Sequence, residues 1–134
     1  IGTTGRMIVS EETGDDQLTA DREITRVKRN MRILDIGERS TDKFIKILKE
    51  AKTIIWNGPV GLYEKVPFEK GTKRIAQALA EVEGKTYLGG GDTLDALKKF
   101  NIDKSSFTHV STGGGAMLEF LEGKELAGLK VLTV

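Results

Sequence analysis

Eight of the 16 glycines in this 134-residue chain fall in three short segments: Gly58 and Gly61, Gly89 to Gly91, and Gly113 to Gly115. Each segment follows a short β-rich run and precedes a helical pattern. Ile33-Leu34-Asp35-Ile36 ends at Gly37 and reads as a strand, after which Ser40 or Thr41 caps a helix to about Ala51, with Phe44, Ile45 and Leu48 on one face. Thr53-Ile54-Ile55-Trp56 is a second strand and stops at Asn57-Gly58-Pro59. Ile75, Leu79 and Val82 then recur at i, i+4 and i+7, with Gly84 as a helix stop. Thr86-Tyr87-Leu88 leads into the second glycine segment, where Asp92 caps a helix bearing Leu94, Leu97 and Phe100. Thr108 to Ser111 leads into the third, followed by a helix with Met117, Leu118 and Leu121. Strands alternating with helices over short connections imply parallel pairing through right-handed crossovers, and such apolar runs suit strands covered on both faces. The expected fold class is α/β: a parallel sheet with helices on both faces, Rossmann-like in three layers, or a large part of one.

Composition narrows the function. Lys+Arg 21 against Asp+Glu 20 leaves a net charge of +1, too balanced to imply a nucleic-acid or membrane-surface partner. No apolar run approaches the roughly 20 residues of a membrane span. The chain has no cysteine, which excludes disulfides and thiolate chemistry and fits a reducing compartment. Its one histidine, His109, rules out a three-histidine zinc site; inside a strand run it reads as a packed structural residue rather than an acid or base. The first 29 residues are the least regular: Met7-Ile8-Val9 reads as a strand, Glu11 to Asp16 as an exposed acidic loop, and the region of Ile24 and Val27 as a second strand. The basic group Arg26, Lys28, Arg29 and Arg32 is either an anion site or, lacking interleaved aromatics, a solvated face. The chain opens at Ile1 without a leader pattern and reads as cut rather than started.

In a parallel sheet the three glycine turns lie on one edge, beyond the carboxyl ends of the strands, where ligands of open α/β folds bind. Glycine lets main chain approach a ligand, and the N–H groups opening each helix favour an anion such as phosphate. Close helix-to-strand packing is the alternative reading of any single turn. Asp92 is either a helix cap or, beside phosphates, a ligand for Mg²⁺, which is typically held by one or two carboxylates together with phosphate oxygens. Thr93 is a phosphate hydroxyl donor or a first-turn residue. The turns contain no P-loop pattern, and both G-x-G-x-x-G starts place a leucine, Leu94 or Leu118, at the sixth position, which disfavours a dinucleotide fold.

Taken in order, Ile33 to Gly37, Trp56 to Glu64, Gly89 to Thr93, His109 to Ala116 and Glu119 to Leu126 resemble the later part of the nucleotide-binding C-terminal domain of phosphoglycerate kinases. The resemblance is strongest over residues 31–128 and makes residues 1–134 a partial domain. It implies reversible phosphoryl transfer between ATP and 3-phosphoglycerate, with Mg²⁺. On this resemblance Asn57, Gly58, Pro59 and Val60 approach the nucleotide, Leu62 and Tyr63 supply apolar walls, and Glu64 accepts from ribose hydroxyls. Gly90, Gly91 and Thr93 face the nucleotide, Asp92 holds the metal, and Ser111, Thr112, Gly113, Gly114 and Gly115 direct N–H groups toward the transferring phosphoryl. It further implies a cytoplasmic, monomeric full-length enzyme acting on small molecules.

The sequence departs from the family pattern at Glu38, where proline is usual, at Ile33, near a position often glycine, and at Ala127, which replaces proline. The arginines that hold phosphoglycerate and the lysines that reach the nucleotide phosphates belong to family segments without a counterpart here. The chain on its own is therefore expected to be inactive. Two other readings stand beside it: a non-catalytic phosphate- or nucleotide-binding module, and a structural fragment whose glycines serve packing.

Overall fold

The computed structural model describes residues 6–11, 19–23, 29 and 31–130. Three strands, β1 (Arg6–Glu11), β2 (Thr19–Glu23) and β3 (Met31–Ile36), form an antiparallel sheet in the order β2-β1-β3. The register pairs Ile8 with Asp21 on one side and Met7 with Ile36 on the other, with an irregularity between Ile8 and Val9. β1 contains the expected Met7-Ile8-Val9 run. The sequence pattern does not predict β2, which covers a mostly polar segment, while the strand expected around Ile24 and Val27 falls outside the described residues, as do Glu12 to Asp16, Arg26 and Lys28.

Helix α1 (Glu38–Glu50) follows at once, then β4 (Thr53–Asn57), α2 (Lys70–Ala80), β5 (Lys85–Gly89), α3 (Gly91–Lys99), β6 (His109–Ser111), α4 (Gly114–Leu121) and the short α5 (Ala127–Lys130). Strands β4, β5 and β6 pair in parallel in that order. The α/β expectation holds for them. β3 departs from it: despite its place in the alternation it pairs antiparallel with β1, because alternation argues for parallel pairing only among strands of one sheet.

Local chemistry explains where the helices begin and end. Gly37, in extended backbone, caps α1, and Glu38 puts a negative charge in the first turn, where the helix dipole favours it. Ser40 and Thr41 are therefore not caps. Both are buried inside the helix, and Thr41 Oγ1 donates to Gly37 O at 3.0 Å. Helix α2 stops at Ala80, before Val82 and Gly84. Gly84 serves close approach instead of helix termination, since a Cβ there would collide with the Ala51 carbonyl oxygen.

One face of the parallel sheet carries the core. Ile54, Trp56 and Leu88 pack with Ile75, Ala76 and Leu79 of α2, Leu97 of α3 and Phe107, and Phe44, Ile45 and Leu48 of α1 close its margin. Each such large side chain contributes roughly 1.5–3 kcal/mol on full burial, so this face holds the sheet to its helices. The alternate residues Ile55, Tyr87 and His109 point the other way. They line a cavity of about 670 Å³ with Ala116, Met117, Phe120 and Leu121 of α4. Helices thus flank both faces, but the second is only partly covered: Ile55 is 48% exposed. His109, expected to be packed, is exposed on β6.

At the end of β3 the Asp35 carboxyl is 1% exposed. Its Oδ1 accepts from Ile36 N–H and its Oδ2 from Gly71 N–H, both at 2.8 Å, tying β3 to the start of α2. Burial outweighs these two bonds and pushes the carboxyl up to about 6 from an ordinary 3.8. The folded state therefore holds this proton more tightly than the unfolded one. The associated stability is fully present below pH 3.8 and is lost as pH rises through about 6. Two pH units correspond to roughly 3 kcal/mol. In urea unfolding followed by Trp56 fluorescence, the wild type should lose stability relative to Asp35→Asn by an amount of that order between about pH 4 and pH 7. A difference that does not change with pH contradicts the assignment.

Candidate functional site

The parallel register sets Asn57, Gly89 and Ser111 level across the sheet. The three glycine turns leave the strands there, on one edge, and they touch. Asn57 Nδ2 donates to Gly114 O at 3.4 Å. A Cβ on either Gly90 or Gly114 would lie 2.7 Å from Asn57 Oδ1, and one on Gly114 would lie 3.0 Å from Gly90 Cα. Glycine at both positions is what allows the Asn57 amide to sit between the second and third turns. Gly90 also adopts φ +94°, a backbone region that favours glycine.

This edge presents main chain. The first α3 hydrogen bond runs from Leu94 N–H to Gly90 O, and the first in α4 from Met117 N–H to Gly113 O. The N–H groups of Gly91 to Thr93 and of Gly114 to Ala116 therefore have no partner within their helices. A Cβ on Gly58, Gly91 or Gly115 would meet nothing within 4 Å, so these residues border open space. Convergent amides at two helix N-termini suit an anion. Asp92 is exposed in the first turn of α3, and because Gly90 occupies the cap position Asp92 is not a cap. Ser111 Oγ accepts from Gly113 N–H at 3.2 Å and shapes the third turn, while Thr112 is exposed.

The segment after Asn57 hangs from α3 and α2. Thr93, fully buried, accepts from Gly58 N–H at 2.8 Å. Thr72, also fully buried, accepts from Val60 and Gly61 N–H, each at 3.2 Å. Leu62 N–H donates to Leu34 O at 2.8 Å. Between this segment and β3 lies a cavity of about 640 Å³, lined by Ile33, Phe44, Pro59, Val60 and Leu62 among others. Tyr63 does not join that wall. It is buried, and its hydroxyl donates to Asp95 Oδ2 at 3.1 Å; burial first, then Asp95, push the phenol up to about 12 and keep it protonated. Glu64 is exposed.

Thr72, Asp95 and Lys99 escaped the sequence reading, although each holds this segment in place, and so did the role of Asp35, whose bonds tie β3 to α2 beside it. Asp95 and Lys99 stand four apart on one helix, a spacing that marks a shared polar face. Asp35 and Thr72 gave no signal apart from their place at element ends.

Comparison with known proteins agrees with the fold. The family model described as phosphoglycerate kinase matches residues 5–124. The chain is similar to the phosphoglycerate kinase of Buchnera aphidicola, at 51% identity over 79% of this chain and 27% of the relative. It superposes on the phosphoglycerate kinase structure from Coxiella burnetii with a TM-score of 0.84 and 43% identity, covering 96% of this chain and 33% of that one. The Pyrococcus horikoshii structure gives 0.79 and 34% identity, covering 95% and 31%. The chain therefore spans a third or less of the length of these relatives.

The two types of glycine environment predict different costs. Gly90→Ala combines positive φ with the Asn57 contact and should lower stability by about 1–3 kcal/mol. Gly115→Ala, in open space on α4, should change stability by less than about 0.5 kcal/mol or raise it slightly. Urea denaturation of the two variants checks this, and equal losses contradict the reading of the edge.

Proposed function

This chain belongs to the phosphoglycerate kinase family, and we propose that it supplies part of the nucleotide half of an enzyme that reversibly transfers a phosphoryl group between ATP and 3-phosphoglycerate. The observation that carries this reading is the single edge formed by Asn57, Gly90 to Thr93 and Ser111 to Gly115, held level by the parallel register. Phosphoryl transfer needs alignment and charge stabilisation more than a covalent nucleophile. Main-chain N–H groups at two helix starts provide both, fixed in direction before the reaction begins.

In this reading the amides of Gly114 and Gly115 face the transferring phosphoryl, Gly113 shapes that turn through its own N–H bond to Ser111 Oγ, and the amides of Gly90 and Gly91, with the Asn57 amide, face the remaining phosphates. Pro59, Val60 and Leu62 wall the nucleoside, consistent with their place in the 640 Å³ cavity. Glu64 accepts from the ribose hydroxyls. Thr93 contributes by fixing Gly58, and Tyr63 by anchoring its segment to α3.

Mg²⁺ fits the donor set in one way. Among the described residues no group of three or more acidic or histidine side chains could enclose a cation, but Asp92 offers one exposed carboxylate beside the phosphate-facing amides. One carboxylate completed by phosphate oxygens and water is the usual arrangement for this ion. When bound, it neutralises phosphate charge. Phosphoglycerate binding belongs to the rest of the longer polypeptide, and the cytoplasmic, monomeric setting of glycolytic transfer is part of the same proposal. No helix among the described residues is long and apolar enough to cross a membrane.

Calorimetric titration with ADP and Mg²⁺ should show binding by the 134-residue chain. Asp92→Ala should weaken it by about tenfold or more, as expected for losing a charged contact. Absence of binding, or equal binding by the variant, contradicts the site. Supplied with ATP, Mg²⁺ and 3-phosphoglycerate, the chain alone should produce no ADP at kinase rates of roughly 1–100 s⁻¹. Turnover at those rates contradicts the placing of the acceptor site elsewhere.

A further inference from the structure

The ammonium of Lys99, in the last turn of α3, makes an unusual set of contacts. Its Nζ donates to Tyr63 O at 2.6 Å and to Glu64 O at 3.1 Å, and it pairs with Glu69 Oε2 at 2.7 Å. An ammonium has three donors, and here all three point into one seven-residue stretch of the segment after β4. The side chain is 34% exposed and that of Glu69 21%. It also lies 5.9 Å from the centre of the Phe100 ring. A solvated surface pair commonly contributes little. Lys99 differs because two of its bonds go to consecutive backbone carbonyls, which fixes the path of the main chain at Tyr63 and Glu64.

Two other ties run from the same helix. Thr93 holds Gly58, and Asp95, one turn before Lys99, holds the Tyr63 hydroxyl. One short helix therefore fixes both ends of the proposed site: its first turn carries Asp92 and the open amides, and its last turn sets the backbone of Glu64. An exposed glutamate on a loop otherwise loses affinity to the entropy of ordering it at each binding event. With its main chain already held, that loss is smaller.

We infer that Lys99 is a positioning residue for ribose recognition, holding Glu64 at a set distance from the phosphate-binding turn through the Tyr63 and Glu64 carbonyls. The inference rests on the reading of Glu64 as the ribose acceptor, and it extends that reading to a residue that touches no ligand. It sets a specific expectation: losing the Lys99 bonds weakens binding of the sugar while binding of phosphate persists.

The test is calorimetric titration of the 134-residue chain at fixed Mg²⁺ with ADP, with 2′,3′-dideoxy-ADP and with pyrophosphate. The wild type should favour ADP over the dideoxy nucleotide by roughly tenfold, the scale of hydrogen bonds to a charged acceptor, and Glu64→Gln should remove most of that preference. Lys99→Met should remove it to a similar extent while leaving dideoxy-ADP and pyrophosphate within about twofold of wild type. Equal weakening of all three ligands shows general loosening and overturns the inference, as does a preserved preference in Lys99→Met when Glu64→Gln has lost it. If Lys99→Met loses the far-UV circular dichroism of the intact chain, Lys99→Arg decides. It keeps the charge for Glu69, but its planar fork does not reproduce three divergent bonds, so a folded Lys99→Arg should also lose most of the preference, and full retention overturns the inference. A wild type that binds ADP but ignores the ribose hydroxyls refutes the role of Glu64. One that binds none of the three refutes the nucleotide site itself, and the inference falls in either case.

Discussion

Everything at the candidate site depends on the parallel register that sets Asn57, Gly89 and Ser111 side by side. A slip of one residue would turn each strand's side chains to the opposite face. Ile54, Trp56 and Leu88 would then leave the core, so the packing that stabilises the sheet also fixes the register of the edge. From that alignment follow the contact between the second and third turns, the place of the Asn57 amide between Gly90 and Gly114, and the two helix starts opening in one direction. Folding and site assembly therefore share one cause.

Around this edge the protein arranges supports that never need to meet a ligand. Thr93 and Thr72 each use a fully buried hydroxyl oxygen to accept backbone N–H groups from the segment after β4. Bonds of this kind are worth about 1 kcal/mol each in net stability, but leaving such buried groups unpaired costs more. Their effect is to limit the conformations open to Gly58 through Gly61. Asp35 does related work at higher cost, since its carboxyl is buried enough to hold its proton well above the ordinary range. Gly61 and Gly71 crowd it so closely that a Cβ on either would collide with its Oδ1.

Much of this was legible in the sequence because glycine and short apolar runs mark strand-to-helix turns plainly. The parallel strands β4, β5 and β6 and the placing of Gly58, Gly89 to Gly91 and Gly113 to Gly115 were all accessible that way. What escaped has physical reasons. β2 carries too few apolar residues to show a periodic signal, and the partner of β3 is set by long-range pairing. Asp92 looked like a cap because aspartate favours that position, but Gly90 takes it by adopting positive φ. Ser40 and Thr41 misled in the same way, since Gly37 opens the helix. His109 and Ile55 looked like core because β-rich runs are usually covered on both faces, whereas α4 covers only part of theirs. The supports Asp35, Thr72, Asp95 and Lys99 are polar residues whose importance lies in three-dimensional contacts alone.

The central claim is that three separated turns act as one anion-binding edge. Two-dimensional ¹H–¹⁵N nuclear magnetic resonance during a titration with ADP and Mg²⁺ tests it most directly, because it reports on the backbone amides themselves. The account predicts saturable shifts clustered at Gly58, at Gly91 to Thr93 and at Gly114 to Ala116, all following one binding curve. Shifts restricted to the apolar cavity between Ile55 and Phe120, or turns that respond with unrelated curves, would contradict it.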